Sequence, residues 1–138
     1  MPVLSVKIAP LQNPDRYQRL AQALTELTAR VLGKRPEVTT VVISDWPAAQ
    51  WFVAGRDVQR PTALLEISIT QGTNSPQDKA AFVREAHAEL RRQLGAGGDI
   101  EPATYVIVRE LAAGDWGYGG HTQLERRSAR EALALSPA

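Results

Sequence analysis

The chain has 138 residues and no cysteine, which excludes disulfide bonds, thiolate metal sites and a cysteine nucleophile. Its 16 Lys and Arg residues against 15 Asp and Glu give a net charge of +1, which argues against a nucleic-acid-binding protein, because such proteins need a basic surface. We see no signal-peptide pattern and no apolar run of membrane-spanning length, and therefore expect a cytoplasmic globular protein.

The first half of the chain predicts a strand, a helix and a second strand. Residues 3–8 alternate apolar and polar side chains, as a half-buried strand does. Asn13-Pro14 begins a helical pattern that ends at Leu32-Gly33, since Asn caps helices, Pro suits the first turn and Gly ends them. Residues 39–44 are rich in β-branched side chains and indicate the second strand.

The second half repeats this order. Ser75-Pro76 and Leu94-Gly95 each lie 62 positions after the corresponding residues of the first helix. Strands are predicted over residues 63–69 and 104–109, before and after this second helix. An aromatic residue followed by glycine-containing sequence recurs at Trp51 and Trp116. The offset is 62 at both helix ends and 65 between the tryptophans, and this agreement indicates a tandem duplication with three extra residues in the second copy.

The predicted fold is α/β (α+β in some schemes), with two tandem β-α-β repeats forming a four-stranded sheet that carries both helices on one face. We expect one domain made of repeats 2–58 and 62–127 plus a C-terminal tail. The uncovered sheet face predicts oligomerisation. A ferredoxin-like domain has the same order of elements along the chain. We expect an antiparallel central strand pair to identify that fold. Residues after Thr122 predict a short charged helix or a frayed tail, to which we assign no chemistry.

Few side chains in the sequence point to catalysis. His87 lies within the second predicted helix, where a packed or solvated role is sufficient, and His121 follows two glycines in a loop and is a better candidate. Pro2 becomes a secondary amine if Met1 is removed, although Pro at position 2 is by itself common. Such an amine, with its pKa lowered by apolar burial and nearby cations, is a suitable general base for moving a proton between carbon and oxygen.

The order of these segments resembles the 4-oxalocrotonate tautomerase family in its fused, two-repeat form. The matching pieces are the strand from Pro2 to Ile8, the first helix, the strand around Val41-Val-Ile43 and the segment Trp116-Gly-Tyr-Gly-Gly120. The resemblance implies a homotrimer that needs no cofactor or metal. It also implies Pro2 as the catalytic proton shuttle on a small anionic substrate, a 2-oxo or 2-hydroxy acid undergoing enol–keto or dienol isomerisation.

The resemblance carries over only in part to the binding residues. The family's arginines match Gln12, Thr73, Thr40 and Tyr105 in this sequence, so the usual carboxylate-binding side chains are absent from their expected places. We instead expect Arg109 or Arg56 to bind the substrate carboxylate, because a guanidinium can hold it with two hydrogen bonds. The remaining predicted substrate-binding residues, chosen for an aromatic wall or a loop position, are Trp116, Trp51, Tyr105 and His121.

Two alternatives are open from the sequence. The first is a hydrolytic dehalogenase or a decarboxylase on the same scaffold, which would need a carboxylate to activate water; Glu110 is the nearest candidate. Fused relatives with these activities carry arginines after the third strand, whereas residues 70–74 here have none. The second alternative is a non-catalytic trimeric binding protein in which Pro2 is inert.

Overall fold

The computed structural model describes residues 1–135, which contain three α-helices and a four-stranded sheet. The main strands are β1 (Val3–Ala9), β2 (Thr40–Asp45), β5 (Thr62–Thr70) and β6 (Tyr105–Leu111). Short strand pairs form two hairpins, β3 (Phe52–Val53) with β4 (Arg56–Asp57), and β7 (Gly117–Tyr118) with β8 (His121–Thr122). The helices are α1 (Asp15–Leu32), α2 (Pro76–Leu94) and α3 (Gln123–Leu135). No helix among the described residues is both long and apolar enough to cross a membrane.

The strand order β2-β1-β5-β6 confirms the predicted tandem β-α-β arrangement. Within each repeat the two strands are direct neighbours and run parallel, β1 with β2 and β5 with β6. The central pair, β1 with β5, is antiparallel. An antiparallel centre is therefore not the mark of a ferredoxin-like domain that we took it to be. The direct pairing of β1 with β2 excludes that fold, whose β-α-β units are split by an intervening strand.

The core lies between the sheet and the two long helices. Alternate side chains of β1, namely Leu4, Val6 and Ile8, are fully buried, and Val3, whose side chain points to the other face, is 38% exposed. The stripe of α1 that includes Leu20 and the stripe of α2 that includes Phe82 pack on these strands. One face of the sheet is thus covered by helices, while the other remains open in the single chain.

The two long helices begin differently, because the N-cap of α1 is Pro14, without a side-chain capping hydrogen bond, and not Asn13 as the sequence predicted. Ser75 and Asp78 form a capping box at the start of α2, and the Asn13 side chain accepts a hydrogen bond from the backbone N–H of Asp15 at 3.0 Å. Gly33 ends α1 in the left-handed conformation, with φ of 69°. The segment after Thr122 forms α3 as far as Leu135, and residues 136–138 of the expected tail lie outside the described residues.

Candidate active site at the start of the first strand

The amino-terminal end of β1 opens into a cavity of about 300 Å³. Pro2 is buried at this end, and its carbonyl accepts a hydrogen bond from the backbone N–H of Thr40 at 3.2 Å. The antiparallel register of β1 with β5 places Thr70 opposite Met1. The cavity is lined by Met1, Gly33, Lys34, Arg35, Thr70, Thr73, Ala113, Gln123, Arg127 and Arg130.

Four of these lining residues are cations, and three of them lower the pKa of the terminal amine. The pKa of the Met1 amino group is lowered from its usual value by burial first, and then by the positive charges of Lys34, Arg130 and Arg35. Both effects penalise the ammonium form. Burial and positive charge therefore both favour the free-base form of the Met1 amine.

Lys34 is placed by the end of the first helix. Gly33 turns the chain out of α1, and the Lys34 ammonium then donates a hydrogen bond to the Thr73 hydroxyl at 2.9 Å. Burial lowers the pKa of Lys34, and the charge of Asp78 acts in the opposite direction. Lys34 is thus a half-buried, anchored cation at the cavity wall.

The remaining two cations come from α3. Its first residue, Gln123, is buried and donates a backbone hydrogen bond to the Trp116 carbonyl at 2.9 Å. Arg127 and Arg130 follow on the same side of the helix, because positions i, i+4 and i+7 share a face. The segment to which the sequence assigned no chemistry therefore lines the cavity at the amino terminus.

Two predicted site residues lie in the hairpin next to this cavity. Trp116 is partly exposed, and its indole N–H is buried without a hydrogen-bond partner among residues 1–135. It lines a separate cavity of about 280 Å³ together with His121. The His121 Nδ1 lies 3.1 Å from a Glu125 carboxylate oxygen, and both side chains are exposed.

The other predicted binding residues lie elsewhere in the single chain. Trp51 lines an aromatic cavity of about 350 Å³ together with Lys7 of β1. Lys7 is about 16 Å from Pro2, because a strand advances about 3.3 Å per residue. Arg56 is exposed in the first hairpin. Tyr105 and Arg109 lie on β6 and are both exposed.

Arg109 is engaged within the sheet. Its guanidinium donates a hydrogen bond to the Glu66 carboxylate at 3.0 Å, so its charge is already partnered in the single chain. The sequence predicted Arg109 or Arg56 as the residue that binds the carboxylate, and it did not predict the cations Lys34, Arg35, Arg127 and Arg130 at the cavity. The spacing of Gln123, Arg127 and Arg130 carried a signal, since it predicts a cationic stripe on one helix face.

The described residues contain no group of three or more His, Cys, Asp or Glu side chains arranged to hold a metal ion. Among residues 1–135, the charged side chains that line the cavity at the amino terminus are all cationic.

Comparison with known proteins identifies the family to which the chain belongs. The sequence matches the family described as "Tautomerase enzyme" twice, over residues 2–60 and 64–123. The chain therefore belongs to the tautomerase family, and each of its two repeats matches that family once. No curated protein was found to match the chain.

Solved structures share the same fold. The fused 4-OT Q0, described as a symmetric trimer, is 23% identical with a TM-score of 0.77, over 88% of this chain and 96% of its own. N1, a member of the cis-3-chloroacrylic acid dehalogenase family, is 21% identical with a TM-score of 0.77, over 98% and 92%. A macrophage migration inhibitory factor-like protein from Entamoeba histolytica is 16% identical with a TM-score of 0.73, over 88% and 97%.

Proposed function

We propose that this protein is a cofactor-independent tautomerase that uses the secondary amine of Pro2, exposed by removal of Met1, as its general base and acid. The observation that carries the proposal is the buried amino-terminal end of β1 beside four cations, in a chain of the tautomerase family. The substrate class is a small 2-oxo or 2-hydroxy acid that undergoes enol–keto or dienol isomerisation.

The reaction is a proton relay through one nitrogen. The Pro2 amine takes the proton of the substrate's enol hydroxyl, and the electron pair of the broken O–H bond forms the carbonyl. The π electrons of the carbon–carbon double bond then form a C–H bond with the same proton, which the prolinium donates. One O–H bond breaks, one C–H bond forms, and the amine returns to its starting state. The amine must be unprotonated to begin, and the burial and positive charge around this strand end favour that form.

The cations of the cavity have a second role in this proposal, which is to bind the substrate carboxylate. Lys34 is anchored by Thr73, and a half-buried ammonium interacts with an anion more strongly than a fully solvated one does. The carboxylate held there keeps the reacting carbon and oxygen next to the Pro2 nitrogen. Positioning of this kind is a major source of rate acceleration.

We propose further that the active form is a homotrimer. The open sheet face exposes large apolar side chains, among them Val42 and Tyr105, and a monomer gains by burying them. The fused 4-OT structures described as trimers support this assembly. Trp51, Arg56, Tyr105 and Arg109 lie on or near the open face or the first hairpin, and we propose that a neighbouring subunit brings them to the site.

Tautomerisation is favoured over the hydrolytic alternatives by the state of Glu110. This carboxylate pairs with the Lys79 ammonium at 2.6 Å and accepts a backbone hydrogen bond from Gly72 at 3.2 Å. The Lys79 hydrogen bond, followed by that from Gly72, lowers the pKa of Glu110. A carboxylate held in this way is a poor base for activating water.

The cytoplasmic location expected from the sequence stays a prediction.

The test of the proposal joins an intact-mass measurement with a substitution. The purified protein should lack the mass of Met1, and it should convert phenylenolpyruvate to its keto form. Pro2→Ala should lower kcat/KM about 100-fold or more, since general acid–base groups contribute at least this much. Thr62→Ala, at the corresponding strand start in the second repeat, is the matched control and should leave kcat/KM unchanged. Undiminished activity of Pro2→Ala would rule out the catalytic role of Pro2, whereas retained Met1 with no conversion of the substrate would support the non-catalytic alternative.

A further inference from the structure

We infer that α3 is the element that selects the substrate, with Arg127 and Arg130 binding its carboxylate in the cavity that Lys34 also lines. This rests on the proposed function for the position of the site, and it adds the residues that recognise the acid. Both arginines belong to a segment that lies outside the family match, which ends at residue 123. The inference therefore concerns this chain and not the common core of the family.

The helix geometry brings the two arginines to the cavity together. Gln123, Arg127 and Arg130 lie at positions i, i+4 and i+7, and all three line the 300 Å³ cavity. Lys34 and Arg35, from the segment after α1, line the same cavity. An acid in the cavity is thus flanked by cations from two separate parts of the chain.

The charges of these arginines are available to a ligand. Neither Arg127 nor Arg130 has an acidic partner within 4.0 Å among the described residues. The acidic residue nearest to Arg127 in sequence on α3, Glu125, is held by His121 at 3.1 Å. Cations that face one cavity repel each other, and an anionic ligand removes that repulsion.

The first turn of α3 is fixed, and this orients the two arginines. Besides the backbone hydrogen bond from Gln123, the Leu124 N–H donates to the Ala113 carbonyl at 2.9 Å. The Arg126 guanidinium lies 3.7 Å from the centroid of the Tyr118 ring and donates a hydrogen bond to the Tyr118 carbonyl at 2.8 Å. Arg126 is therefore a positioning residue, which attaches α3 to the hairpin so that the next turn faces the cavity.

The experiment measures binding of an acid and of its neutral ester, so that a contact with the carboxylate is separated from a structural effect. Calorimetry on the full chain gives Kd for phenylpyruvate and for methyl phenylpyruvate. The variants are Arg127→Gln, Arg130→Gln and the double variant. The matched control is Arg84→Gln/Arg91→Gln, which removes two charges from exposed positions on α2.

We expect the double variant to bind phenylpyruvate roughly tenfold or more weakly, since hydrogen bonds to charged groups contribute at least this much. Binding of the methyl ester should not change, and the control should bind both compounds as the wild-type protein does. The inference would be overturned if the double variant lost affinity equally for the acid and the ester, or if it lost affinity for neither. It would also be overturned if the wild-type protein bound the acid no more tightly than the ester.

The same measurements distinguish this inference from the proposed function. Binding does not require the Pro2 amine to transfer a proton, so the Pro2→Ala protein should still discriminate acid from ester. If Pro2→Ala keeps full activity while the arginine variants lose binding of the acid, the proposed catalytic role fails and the role of α3 stands. If Pro2→Ala is inactive and the arginine variants bind normally, the role of α3 fails alone.

Discussion

The two repeats place the same elements around the start of β1 and the start of β5, but the chemistry at these two places differs. Beside β1 the segment after α1 supplies Lys34 and Arg35, and the cavity holds no carboxylate among the described residues. Beside β5 the corresponding cavity, of about 190 Å³, contains Asp99 and Glu101 as well as cations. The Arg91 guanidinium there is already paired with Asp99 at 2.7 Å.

The strand starts differ as well. Thr62 is fully buried within a continuous chain, and its hydroxyl shares a hydrogen bond with the Thr104 hydroxyl at 3.0 Å. It has no free amine, whereas removal of Met1 would leave one at Pro2. The comparison teaches that two repeats with the same order of elements carry different charged groups at the two strand starts.

The two repeats also differ in the size of the buried side chains on their long helices. Positions 62 residues apart carry different buried side chains, and the pairs are Leu20 with Phe82, Leu24 with Ala86, and Thr28 with Leu90. The Thr28 hydroxyl donates a hydrogen bond to the Leu24 carbonyl at 2.7 Å, so this buried polar group has a partner in the core. Each repeat thus packs its helix on the sheet with a different set of buried side chains.

The largest effect is expected from breaking the core of the second repeat. Phe82→Ala should lower the free energy of unfolding by about 3–5 kcal/mol, because it removes a fully buried ring and leaves a cavity. Thr28→Val, in the core of the first repeat, keeps the volume of the buried side chain and loses only its hydrogen bond, so it should cost about 1 kcal/mol. Urea unfolding followed by circular dichroism checks both, and equal losses would contradict this account of the core.

The next largest effect is expected from making the first site resemble the second. Lys34→Glu places a carboxylate beside the strand start, which favours the ammonium form of the amine and repels an anionic substrate. We expect kcat/KM at pH 7 to fall on the order of 100-fold. The rising limb of the pH profile should also move to higher pH, because removal of the Lys34 charge raises the pKa of the amine.

Lys34→Met is the matched control for that substitution, since it keeps the length of the side chain and removes only the charge. It should move the pH profile in the same direction and reduce kcat/KM by less. Unchanged pH profiles in both variants, with unfolding temperatures equal to that of the wild-type protein, would show that Lys34 does not act on the amine.

The smallest effect is expected at the helix starts. Ser75→Ala removes the side chain that accepts the Asp78 N–H in the capping box of α2, and it should cost about 1 kcal/mol of stability. Asn13→Ala removes the single side-chain hydrogen bond to Asp15 at the start of α1 and should cost less. A thermal unfolding series measures the difference, and a greater loss for Asn13→Ala would reverse the comparison.

The fold was predictable because it depends on local patterns that occur twice. The 62-residue offset, the helix stripes and the alternation in residues 3–8 identified the main strands and both long helices, with boundaries within two residues. These patterns reflect side chains that meet the same core from each repeat. The strand directions in the centre of the sheet were not predicted, because they follow from the chain connection between β2 and β5.

The cationic cavity was not predictable from spacing in the same way. Lys34 follows a helix end, where a cation is ordinarily explained by solvation, and Arg130 is more than 120 residues from Pro2 in the sequence. Their meeting depends on the second hairpin, which turns α3 back toward the start of β1. The roles of Trp116, His121 and the other predicted binding residues stay predictions, and a test of those on the open face depends on the trimer that we propose.

The central claim is that an unprotonated Pro2 amine occupies the cationic end of β1. It is tested most directly by following the Pro2 nitrogen in a pH titration by ¹⁵N NMR, with the protein labelled at proline. The account predicts a nitrogen that titrates as an amine with a pKa below the usual value of about 8 for an α-amino group, and a higher pKa in Lys34→Met. A Pro2 nitrogen that does not titrate, as in an amide, or one that titrates at or above that value, would contradict it.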